Sequence, residues 1–130
     1  MSDLRLPRSE RLRSLKAIRR MFGEGKSGFV YPLRYAFYQE QKPGEGEAAV
    51  EVMFSVPKKF HKRANKRNLL KRRTREAFRQ SPVREKLRSL AEQKAVGIDL
   101  AFIYSTKEIH SYKTITHAVQ RILEQVCEHM

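Results

Sequence analysis

Apolar residues recur at helical spacing from Glu10 to Phe22: Leu12, Leu15, Ile18, Met21 and Phe22, with Arg11, Arg13, Lys16, Arg19 and Arg20 between them. This predicts a first amphipathic, basic helix, entered after Pro7 with Ser9 as N-cap and closed by Gly23 and Gly25. Residues 1–7 read as a flexible arm. Lys26–Pro32 reads as a linker or a short edge strand. Leu33–Gln39 then alternates, with Leu33, Tyr35 and Phe37 against Arg34, Ala36 and Tyr38. Ala48–Val56 alternates again, with Val50, Val52 and Phe54 against Glu51, Met53 and Ser55. Period two predicts strands. The polar, Gly/Pro-bearing stretch Glu40–Glu47 between them predicts a hairpin with a long loop.

After Pro57 the period changes to that of helices. Ser81-Pro82 is an N-cap followed by a proline suited to the first helical position, and a helix Pro82–Gln93 turns Val83, Leu87, Leu90 and Ala91 inward. Ile98–Tyr104, IDLAFIY, is apolar enough for a buried strand. Ser111 can cap a last helix carrying Ile115, Ala118, Val119, Ile122, Leu123 and Val126 on one side. The order α-β-β(-β)-α-α-β-α predicts an α+β fold, an α/β sandwich with helices packed on one small mixed sheet, in a single domain over residues 1–130.

The segment Lys58–Arg79 alters this plain picture, because it holds eleven Lys or Arg and one acid, Glu76. On a helix Ala64–Gln80, Leu69, Leu70, Ala77 and Phe78 fall on one side. Asn68, Lys71, Arg72, Arg75 and Arg79 fall on the other. Lys66 and Arg67 in the first turn oppose the helix dipole, and the like charges three and four apart repel. An anionic partner removes both penalties. A merely solvated helix would mix acids into that face.

The whole chain agrees, with 28 Lys plus Arg against 14 Asp plus Glu and a net charge of +14. At 130 residues and 40% hydrophobic it is large enough for a core, so it is not a disordered basic tail. Nucleic acid, an acidic membrane or a polyphosphate would suit such a charge. Cys127 is the single cysteine, which leaves no internal disulfide and suits a reducing compartment. His61, His110, His117 and His129 are scattered without metal-ligand spacing and read as surface or RNA-facing residues. No apolar run approaches a membrane span, and the N-terminus lacks a signal-peptide core. A soluble, cytoplasmic protein with no membrane partner is expected.

Catalytic chemistry is hard to place. There is no Walker A loop, no GxGxxG and no nucleophile motif, and the acids lie in the loop at 40–47 or within basic helices, with Asp99 alone in its strand. No catalytic residue and no protein metal site are expected. What remains is a binding surface: the cations Lys58, Lys59, Lys62, Arg63, Arg67, Asn68's neighbours Lys71 and Arg72, Arg75 and Arg79, with Tyr35 and Phe37 as an aromatic platform for an unpaired strand or as ordinary core. A ribosomal or other structural RNA-binding protein shares this charge pattern. A DNA-binding helix-turn-helix module fits less well, because strands flank the basic helix. A basic membrane-surface protein fits less well too, because the apolar faces are needed for a core.

The stretch SVPKKFHKRANKRNLLKRRTREAFR resembles the signature of bacterial ribonuclease P protein subunits. It carries Lys58-Lys59, Arg67-Asn68, Lys71-Arg72, Arg75-Glu76 and Ala77-Phe78 in the family's order. LPRSERLRSLKAIRRMFGEGKS resembles the family's N-terminal arm and first helix, PLRYAFYQ its first long strand and IDLAFIY its last. One departure is Leu69, where the family has the second Arg of an Arg-Asn-Arg triplet, with Arg73 as a neighbour able to supply the lost contact. The resemblance implies a subunit that binds the catalytic RNA and the 5′ leader of precursor tRNA, one protein per RNA, while the RNA holds the catalytic magnesium ions. It implies that Arg67, Asn68, Lys71, Arg72 and Arg75 face the catalytic RNA. It also implies that Ile18, Phe22, Leu33, Tyr35, Phe37, Ser55 and Lys59 form a cleft for the leader, and that the βαβ crossover is left-handed, against the general preference.

Overall fold

The computed structural model describes residue 6, residues 8–41 and residues 49–130. Its centre is the last strand. Val96–Tyr104 (β4) is apolar on both faces apart from Asp99 and is buried at every position but Ile103. A strand so covered belongs inside a sheet. It lies between Leu33–Gln41 (β2), antiparallel to it, and Val50–Ser55 (β3), parallel to it, while Lys26–Val30 (β1) pairs antiparallel with the outer side of β2. The sheet order is β1-β2-β4-β3. β2 and β3 are therefore not a hairpin, contrary to the alternation-based expectation. The true hairpin is β1–β2, turned by Tyr31-Pro32 with a cis peptide bond. The expected loop at 40–47 lies outside the described residues beyond Gln41.

One face of the sheet carries Leu33, Tyr35, Phe37, Val50, Val52, Ile98, Leu100, Phe102 and Tyr104, all buried in the main core. The helices Ala64–Gln80 (α2), Pro82–Lys94 (α3) and Tyr112–Glu128 (α4) cover it. α2 and α3 form the crossover between the parallel strands β3 and β4. Phe78 of α2 packs its ring 6.0 Å from Phe54 and 5.8 Å from Phe102. Thr74, also buried, returns its hydroxyl to the Leu70 carbonyl at 2.8 Å, as a hydroxyl in a helix interior commonly does. Ser81 caps α3 with Pro82 at its start, and Ser111 caps α4, both as the sequence indicates.

The opposite face is smaller in its cover. Leu15–Glu24 (α1) lies there, with Met21 and Leu12 packed on Ala36 and Ala101. α1 begins later than Glu10 and is capped by Ser14, not Ser9. The reason is local: Arg8–Glu10 is a 3-10 turn, and Arg11 bridges Val52 while the Leu12 amide donates to the Val52 carbonyl at 2.9 Å. The open edge of β3 thus gains a partner, as edge strands require. Leu6, within the segment expected to be flexible, is buried at 1% exposure, and the Arg11 Nε donates to its carbonyl. The rest of residues 1–5 and Pro7 lie outside the described residues. Arg84 of α3 grips Glu10 with both contacts at 2.9 Å, which fastens the incoming chain to the crossover.

Candidate nucleic-acid interface

α2 starts without help from its own first turn. Arg63 at the N-cap makes no side-chain cap bond, and no acid stands in the first turn. A carboxylate there would be worth roughly 0.3–1 kcal/mol. Lys58, Lys59, Lys62, Arg63, Asn68, Lys71 and Arg72 are all exposed. All but Asn68, a neutral amide, are cations, and they run along the β3–α2 connection and the first turns of α2. The other expected contact residues are more committed. Arg67 donates from one Nη to the carbonyls of His61 and Lys62, at 2.9 and 2.7 Å, and so ties the connection to the helix. Arg79 pairs with Glu76 at 3.2 Å, and Gln80 donates to the same carboxylate oxygen. Arg75 and Arg79 are half-buried, each with a buried Nε that has no hydrogen-bond partner among the described residues. Arg73 does not simply replace the arginine missing at Leu69. It donates to the His110 carbonyl at 2.7 Å and straps α2 to the β4–α4 connection.

That connection is itself ordered by aromatics. His61 is buried at 7% exposure, so it is not a surface residue as its sequence context suggested. Its ring bonds the Thr106 carbonyl at 2.8 Å and packs 5.6 Å from Tyr104. Burial pushes the phenols of Tyr35 and Tyr104 and the thiol of Cys127 above their ordinary values.

The second candidate surface is the groove between α1 and the face of the sheet on its side. Its volume is about 340 Å³, and Met21, Phe22, Ser27, Phe29, Arg34 and Ile103 are among its walls. Phe22 and Phe29 are 50% and 48% exposed, and the Arg34 guanidinium lies 5.2 Å from the Phe29 ring centre. An exposed ring beside a cation is the arrangement that stacks bases and holds phosphates. Arg20 anchors α1 above this face, 3.4 Å from both Glu40 and Asp99 and 4.5 Å from the Tyr38 ring centre. Burial pulls its guanidinium down. The charge of Glu40 and the hydrogen bond that Arg20 donates to Asp99 outweigh this and raise it.

Of the residues expected to form a leader cleft, Phe22 lines this groove with a half-exposed ring, and Tyr35 also belongs to its lining. Ile18 is half-buried against the Leu12–Met21 core, and Ser55 sits beside Ile103 across β3 and β4. Leu33 and Phe37 are a correction, and so is Tyr35 as an exposed platform. They are 0%, 3% and 5% exposed, and they belong to the main core under the helices. The Tyr35 hydroxyl donates to Gln125 of α4 at 2.6 Å. A strand sends alternate side chains to opposite faces, so choosing the odd positions of β2 selects the wrong side of the sheet. Arg34 and Phe29 were missed. A lone cation on the even face of an otherwise apolar strand was the available signal. Among the described residues no group of three His, Cys, Asp or Glu is placed to hold a metal ion, and no helix is long and apolar enough to cross a membrane.

Fold and surface together define a small α+β protein whose parallel-strand crossover is a polycationic helix. The family model described as Ribonuclease P matches residues 6–127. A ribonuclease P protein component of Porphyromonas gingivalis, strain ATCC 33277, is 35% identical over 122 residues, covering 93% of this chain and 85% of that protein. Among solved structures, the RNase P protein from Thermotoga maritima superposes with a TM-score of 0.66 at 26% identity, over 89% of this chain and 96% of that one. A Staphylococcus aureus RNase P protein shares the fold with a TM-score of 0.60 at 18% identity, over 90% and 94%. The chain belongs to the bacterial ribonuclease P protein family.

Proposed function

We propose that this chain is the protein subunit of a ribonuclease P holoenzyme, an endoribonuclease that removes the 5′ leader of precursor tRNA, with one protein per catalytic RNA. The observation that carries the reading is the exposed run of Lys58, Lys59, Lys62, Arg63, Lys71 and Arg72 on one connection and helix, in a segment whose one acid, Glu76, is paired with Arg79. Phosphate contacts there supply affinity without sequence readout. The groove of Phe22, Phe29 and Arg34 takes the unpaired leader, where charge and stacking tolerate variable sequence. Magnesium ions for the cleavage are held by the RNA. The residues of this chain bind and orient; none of them is assigned a catalytic step.

The test is cleavage of precursor tRNA by a bacterial ribonuclease P RNA at low magnesium, with and without the protein. Strong stimulation is expected, lost in large part in Lys71→Ala/Arg72→Ala. In Phe22→Ala, affinity for precursor tRNA is expected to fall about tenfold, with affinity for leaderless tRNA unchanged. Tight RNA binding with no stimulation, and no difference between substrates with and without leader, would instead make the chain a general RNA-binding protein.

A further inference from the structure

A second groove, of about 530 Å³, lies on the other side of α2 from the core contacts of Phe78. Its α2 wall is Leu69, Arg72, Arg73, Arg75, Glu76 and Gln80, and Tyr112 at the first turn of α4 faces it. The volume falls within the roughly 300–1,000 Å³ of small-ligand pockets. Its parts differ from the bare cationic run before it. Leu69 gives an apolar, half-buried floor. Tyr112 is 38% exposed, and its hydroxyl reaches Gln80 at 3.5 Å, which steadies the ring at the groove edge. The one acid, Glu76, is paired with Arg79, which lies outside the groove lining. Arg72, Arg73 and Arg75 therefore leave the groove cationic. Arg73 is held in place by the His110 carbonyl. α4 presents its N-terminal end here, with no acid in its first turn, so its dipole adds to the attraction for an anion.

We propose that this groove holds one unpaired nucleotide of the RNA partner, its base against Leu69 and Tyr112 and its phosphate at Arg72 and Arg73. The inference rests on the reading above that the partner is RNA. An apolar peptide would fill the floor but leave three guanidiniums unanswered. A paired base has both faces already stacked and cannot offer one to Tyr112. At Leu69 the site exchanges a phosphate contact for a base contact. The groove is thus a point of shape recognition within a surface that otherwise reads charge.

The test measures binding of the full-length protein to a bacterial ribonuclease P RNA across a salt series. Tyr112→Ala is expected to weaken binding about tenfold without changing the salt slope, because no phosphate contact is lost. Tyr112→Phe, which keeps the ring, is expected to recover most of that loss. Arg72→Ala is expected to lower the slope by about one. A p-benzoylphenylalanine photoprobe introduced at Gln80, which is exposed, is expected to crosslink to a single unpaired nucleotide. Wild-type protein that binds while Tyr112→Ala binds equally well would overturn the groove and leave the proposed function standing. Crosslinks to paired RNA or to a second copy of the chain would overturn it too. Failure of the wild-type protein to bind the RNA at all would overturn the proposed function itself.

Discussion

Tyr104 shows how much one side chain holds. It is 1% exposed, its hydroxyl donates to the Glu108 carbonyl at 2.7 Å, and it accepts the His110 amide at 2.9 Å. A single phenol so closes the connection between β4 and α4, while His61 packs on its ring. Tyr104→Phe keeps the packing and strands two backbone groups. It is expected to cost about 1–3 kcal/mol, read as a lower urea midpoint at neutral pH; an unchanged midpoint would show that these bonds are dispensable. Burial raises the Tyr104 phenol, with the His110 hydrogen bond acting the other way, and burial raises Tyr35 as well. Raised folded values mean that the fold prefers the protonated phenols. Their contribution is complete below the ordinary tyrosine value of 10.0 and is lost as pH rises through the folded values. Thermal stability is therefore expected to decline on the alkaline side of that value, and less steeply in Tyr104→Phe.

Among the elements, the junction of α1 and β1 leaves no room for a side chain at Gly25. A Cβ on Gly25 would stand 2.3 Å from the Phe37 carbonyl oxygen and 2.4 Å from that of Met21, both backbone atoms. Gly25→Ala is expected to destabilise by about 1–3 kcal/mol or more, and to loosen α1 over its groove, so that precursor tRNA affinity falls with stability. A thermal midpoint equal to wild type would rule this out. The elements themselves were largely legible in the sequence. α2 spans Ala64–Gln80 as its apolar face indicated, and Ser81-Pro82 and Ser111 mark the starts of α3 and α4. Three features were not legible, each for a physical reason. Alternation in β2 defines two faces but does not say which one the helices cover. The insertion of β4 between β2 and β3 is a long-range choice, visible only as an apolar run suited to a central strand. α1 starts late because Arg11 and Leu12 satisfy the edge of β3, a partner distant in sequence. In the interface, the exposed cations followed from composition and helical spacing. The structural uses of Arg67, Arg73 and Arg79 did not, since each depends on a carbonyl or carboxylate that folding supplies.

The molecule as a whole carries +14 with its cations concentrated on one connection and helix. Self-repulsion of this kind opposes the compact state, and a ligand that binds only the folded form stabilises it by mass action. Sulfate is expected to raise the thermal midpoint by several degrees, beyond what chloride does at equal ionic strength, and Lys71→Ala/Arg72→Ala is expected to shrink that difference. Equal effects of the two salts would reduce the surface to general screening. The position of β4 has a further consequence during synthesis. Every long strand pairing in the sheet needs residues 96–104. A nascent chain that has not yet released them from the ribosome can close only the β1–β2 hairpin, and its basic segment is already exposed to the surrounding RNA. The sheet therefore cannot be completed until that strand is free, by which time the whole basic segment has already been made.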